Sequence, residues 1–146
     1  MHYYAVIDTN VIVSSMLKAD SIPWQIMRFI EEETIVPLLN TEILNEYIEV
    51  ITRNKFDFEK ASIEKVISTL KEKAIFISKK ETIEQFIDKD DIVFFEIVLS
   101  ARSTMDAYLI TGNMKHYPIR SYIVTPREMM EIIEKDKKSI KNISNL

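Results

Sequence analysis

The chain alternates short apolar runs with longer amphipathic ones. Residues 2–7 are aromatic and β-branched and predict a buried first strand. Thr34–Leu39, Ala74–Ser78, Ala107–Thr111 and Tyr122–Val124 repeat that signature and predict four more. The stretch from Val11 to Leu17 suits a helix or a second buried segment. Ser21, Ile22 and Pro23 supply a cap and an early proline, predicting a helix through Glu33. Asn40 or Thr41 caps a helix to about Arg53. Phe58–Lys73 carries Ile63, Val66, Ile67 and Leu70 at helical spacing. Glu81–Ile87 has room for one or two helical turns. Asp91–Arg102 is apolar nearly all round, which predicts a helix buried on most sides. Thr125-Pro126-Arg127-Glu128 is a capping box with a first-position proline, so the last helix starts there. The lysine-rich segment 135–146 lacks core residues and is expected to be a flexible, frayed tail.

Strands separated by helical segments predict one α/β domain over residues 1–134. Its expected form is a three-layer sandwich around a mostly parallel sheet of about five strands. The length of 146 residues supports one core and is short for two. No apolar run approaches the roughly 20 residues of a membrane span, and no signal-like segment opens the chain, so a cytoplasmic protein is expected. The net charge of −4 argues against nucleic-acid binding through bulk charge. With no cysteine, disulfides, thiolate metal sites and cysteine nucleophiles are excluded. The single glycine, Gly112, excludes a glycine-rich phosphate loop.

The remaining chemistry is acidic. Asp8 ends the first strand, at the edge of a parallel sheet where sites are built, although a helix cap is an equal reading there. On the helix after the second strand, Glu46 falls beside Val50 at the margin of the apolar arc, whereas Glu42 and Glu49 fall on the polar face. Glu46 can therefore turn inward, or stay an ordinary surface residue. Asp91 opens the most apolar helix, where Asp88 and Asp90 compete with it as caps. Glu96 is the odd acid within that helix, able to line a pocket or reach solvent. Thr111 and Asn113 offer neutral oxygens around Gly112. Carboxylates gathered in one pocket repel unless a cation lies between them, and oxygen ligands suit Mg²⁺ or Mn²⁺. Such an ion activates water against a phosphodiester. His2 reads as a strand residue and His116 as a surface loop residue.

Val6-Ile7-Asp8-Thr9-Asn10-Val11, Leu44-Asn45-Glu46-Tyr47, Arg53-Asn54-Lys55-Phe56, Asp88-Lys89-Asp90-Asp91 with Phe94-Phe95-Glu96, Asp106–Asn113 and Ile123–Pro126 occur in an order that resembles PIN-domain proteins, specifically toxins of toxin–antitoxin pairs. The resemblance implies metal-dependent endoribonuclease activity on RNA. It matches Asp8, Glu46 and Asp91 to the family's acidic ligands and Asn10 and Thr111 to residues that support the first aspartate. It implies an antitoxin partner and a homodimer. Where the family often has a fourth acid, this chain has Asn113 and His116. Asp106 matches a common family residue, but a strand start makes it a structural or rim position. Lys55, Lys89 and Lys115 are candidates to hold the RNA backbone. Two rival readings are a phosphatase using Asp8 as covalent nucleophile, and a binding module with a weakened site.

Overall fold

The computed structural model describes residues 1–82 and 89–145. In chain order the elements are β1 (Tyr3–Ile7), α1 (Thr9–Leu17), α2 (Ile22–Glu31), β2 (Ile35–Leu39), α3 (Thr41–Ile51), α4 (Lys60–Lys73), β3 (Ile75–Phe76), α5 (Ile92–Arg102), β4 (Ala107–Ile110), β5 (Ile123–Val124) and α6 (Pro126–Ser144). The strands form one sheet in the order β3-β2-β1-β4-β5, and every pairing is parallel. The chain steps outward from β1 to β3, then crosses back to β4 on the other side of β1. That reversal creates a switch point between the carboxyl ends of β1 and β4, where a parallel sheet opens a crevice.

The core follows from the patterning. Ala5, Val6 and Ile7 of β1 are fully buried, as befits a central strand covered on both faces. Along α5, six consecutive residues from Val93 to Val98 are buried, and the helix packs across β1, β2 and β4. Tyr47 of α3 is also fully buried. Its hydroxyl donates to the Ile7 carbonyl and its ring lies 6.4 Å from that of Phe94, so α3 and α5 close on the end of β1 together.

Caps behave as the sequence predicts. Ser21 and Asn40 accept from the amides of Trp24 and Ile43. Thr125 and Glu128 exchange both bonds of the capping box, at 3.1 and 2.9 Å. Thr125→Ala is expected to cost about 1 kcal/mol and to lower the melting temperature by about 2–4 °C, read by calorimetry.

Two expectations change. The third strand shrinks to Ile75–Phe76 at the sheet edge, with those side chains 39% and 52% exposed, because among the described residues it pairs with β2 alone. The segment expected to fray from residue 135 is helical to Ser144. Asp136 accepts a 2.7 Å hydrogen bond from the Tyr3 hydroxyl, tying α6 to β1 beyond its last buried residue, Ile133. The turns expected at Glu81–Ile87 lie, from residue 83 on, outside the described residues, as does Asp88. Among the described residues no helix is long and apolar enough to cross a membrane.

Candidate active site

Asp8 occupies the N-cap position of α1, yet its side chain makes no capping bond. The parallel register of β1 and β4 places Ile7 beside Ile110, and the Asp8 amide donates to the Ile110 carbonyl at 2.9 Å. The carboxylate therefore faces the residues that follow β4. Thr111 Oγ1 donates to Asp8 Oδ2 at 2.7 Å, and the Tyr117 hydroxyl donates to the same oxygen at 3.1 Å. The Asn113 amide in turn donates to Thr111 Oγ1 at 2.9 Å, which turns that hydroxyl's own proton toward Asp8. Both side-chain bonds end on Oδ2, and the backbone amides of Thr9 and Asn10 also favour the charged carboxylate.

The loop that carries these donors is locked to α1. Asn10 Oδ1 accepts from the Gly112 amide at 3.1 Å. A Cβ at position 112 would sit 3.2 Å from that oxygen, so the close approach, rather than an unusual φ, accounts for the glycine.

Glu46 projects from α3 toward the same place. The hydroxyl of Thr9, the first residue of α1, donates to Glu46 Oε2. Asp91 ends a 3-10 turn over Lys89–Asp91 and makes no capping bond to α5. Its Oδ2 lies 3.0 Å from His116 Nδ1. Asp8, Glu46, Asp91, Asn10, Asn113 and His116 line one cleft of about 380 Å³. Arg53 and Phe56, both just beyond the end of α3, form another part of its wall.

The electrostatics agree with this convergence. Burial pushes the Asp8 carboxyl up from its ordinary value, and the hydroxyls of Thr111 and Tyr117 oppose the shift. Burial also raises Glu46; Thr9 opposes it, and the charges of Asp8, Asp90 and Asp91 add to it. The Tyr117 hydroxyl is held far above its usual range by burial and by the charges of Asp8 and Asp91, so it remains a donor. Among the described residues no three acidic or histidine side chains are drawn close enough to close around an ion. The donor set still fits a hard divalent cation: it is carboxylate and amide oxygen, and it carries mutual repulsion that such a charge relieves.

Other candidates fall elsewhere. Glu96 is buried but does not line this cleft; its charged neighbours are Lys79, Glu81 and Glu42. Asp106 is exposed before β4 and pairs with Arg102 at 3.3 Å. Lys55, Lys89 and Lys115 are exposed and do not line the cleft, whereas Arg53 does. Glu49 is solvent-facing, as its helical phase predicts, and still borders the cleft. Sequence reasoning missed Tyr117 and took His116 for a surface residue. The only signal for either was their position a few residues beyond Gly112.

Fold and cleft together define a nuclease-type α/β domain. The chain belongs to the PIN-domain family: the sequence model described as "PIN domain" matches residues 4–115, a stretch that contains Asp8, Glu46 and Asp91. Members of that family are typically divalent-metal-dependent ribonucleases. The chain is also similar to the uncharacterized protein MJ1680 of Methanocaldococcus jannaschii, at 26% identity over 145 residues, covering 89% of this chain and 91% of that one.

Proposed function

We propose that the protein is a cytoplasmic Mg²⁺- or Mn²⁺-dependent endoribonuclease in which Asp8, Glu46 and Asp91 hold the ion. The observation that carries this reading is that three carboxylates from distant segments line one cleft, each met by a polar side chain from another part of the chain. Thr111 and Tyr117 hold Asp8, Thr9 holds Glu46, and His116 meets Asp91. Bound there, the ion supplies an activated water and offsets charge developing on the phosphodiester. The chain's own residues do the rest. Asn10 and Gly112 keep the β4 loop against α1, and Asn113, which lines the cleft, would orient water or a phosphate oxygen. A phosphatase mechanism with Asp8 as nucleophile finds less support, because its partner acid two residues on is replaced by Asn10, which is committed to the Gly112 amide.

The test is incubation of a mixed RNA pool with Mg²⁺, with Mn²⁺ or with EDTA. Cleavage is expected with either metal and none in EDTA. Equal cleavage in EDTA, or an intact pool with both metals, contradicts the reading. The toxin role, a masking antitoxin and a homodimer rest on the family resemblance. They predict that expression of the chain alone arrests growth and that its Asp8→Asn variant does not.

A further inference from the structure

We propose that Arg53 and Phe56 form a subsite for one unpaired nucleotide flanking the phosphate held at the carboxylates. The proposal rests on the nuclease reading of the same cleft. Five carboxylates line that cleft, from Asp8, Glu46, Glu49, Asp90 and Asp91. Among the described residues lining it, the cations or potential cations are Arg53 and His116. His116 Nδ1 is taken up by Asp91, so Arg53 is the group at hand for an entering phosphate.

Its present partner is exchangeable. Arg53, just past the end of α3, reaches back to Glu49 in its last turn through Nε and Nη2 at 2.8–3.2 Å, with the two side chains 47% and 62% exposed. Exposed pairs at this spacing are weak. A phosphate matches the guanidinium fork at least as well as a carboxylate does. The fork can therefore leave Glu49 for substrate with little loss.

Phe56 supplies the second half. It is half-buried in the wall of a cleft that is otherwise mostly polar. Phe58 stacks on it at 5.5 Å with the rings 10° from parallel, which occupies one face and fixes the ring plane. The Lys55 ammonium lies 5.0 Å from the Phe56 centroid, on an exposed and flexible stem that a base can displace. A braced aromatic next to an exchangeable arginine is the pairing that grips a single strand: ring on base, fork on phosphate. A base inside a duplex is already stacked on both sides and cannot use it.

The test measures cleavage of a short mixed-sequence single-stranded RNA, and of the same sequence as a duplex, in Mn²⁺. Phe56→Leu is expected to raise KM for the single strand roughly tenfold with kcat within about twofold, and Phe56→Tyr to restore it. Arg53→Gln, at an exposed position that does not threaten folding, is expected to raise KM and to reduce the salt dependence of binding by about one ion, a change Phe56→Leu should not make. Wild-type KM in Phe56→Leu and Arg53→Gln overturns the subsite while leaving the nuclease reading intact. An equal loss on duplex and single strand also overturns it. Failure of the wild type to cut either RNA counts against the nuclease reading itself.

Discussion

Asp8→Asn is expected to lose about 10³-fold in kcat/KM, equivalent to several kcal/mol of transition-state stabilisation, while melting about 2–4 °C above wild type in EDTA. The two effects share one cause. Asparagine keeps the size of the side chain and an oxygen to accept from Thr111 and Tyr117, but removes the charge. Asp8 is 4% exposed, and burial raises its carboxyl from the ordinary value of 3.8. A group bound more tightly by protons in the folded state favours folding at low pH. That contribution is lost as pH climbs from 3.8 through the raised folded value. At neutral pH the buried charge is a net cost, and Glu46 adds a cost of the same sign. The gap in melting temperature between variant and wild type should therefore open with rising pH and close in acid. Adding Mn²⁺ should reverse the order, because an ion that binds only the folded wild type stabilises it by mass action. A variant that melts below wild type at pH 7 in EDTA contradicts this account of Asp8.

The second large effect concerns the pair of hydroxyls on Asp8 Oδ2. Tyr117→Phe and Thr111→Val should each lower kcat about five- to tenfold, and together they should lower it by more than the product. Either donor alone still pins the carboxylate. With both gone, a buried charge keeps only the backbone donors at Thr9 and Asn10 and loses both hydroxyls that aim it. Calorimetry should show weaker Mn²⁺ binding in the same rank order. KM for RNA should stay near wild type, since Tyr117 is buried behind Asp8 and does not line the cleft. Unchanged kcat and Mn²⁺ affinity in Tyr117→Phe would show that its hydroxyl plays no part in positioning Asp8.

Much of the fold was legible because its signals are local. The run Tyr3–Ile7 is a central strand because aromatic and β-branched residues leave no polar face to show to water. The caps at Ser21 and Thr125 satisfy amides within their own first turn, so no distant contact is needed to read them. Helical phase separated the acids of α3 in the same order as their burial: Glu46, at the margin of the apolar arc, is half-buried, and Glu42 and Glu49 are exposed. Phase failed at Glu96, which lies on a helix buried on several sides. A 100° step tells which residues share a face, but says nothing of which neighbour that face meets. The helical course of residues 135–144 was not legible for a related reason: the bond from Tyr3 to Asp136 spans 133 positions.

Sequence alone determined the alternation of strands and helices, and hence a parallel sheet with acids at its carboxyl edge, because those follow from burial and capping within a few residues. Tertiary structure decided which groups serve those acids. Tyr117 meets Asp8 across 109 positions and His116 meets Asp91 across 25, contacts that exist only once the loop after β4 is folded against α1. Nothing in the local chemistry of a tyrosine or a histidine announces a partner that far along the chain.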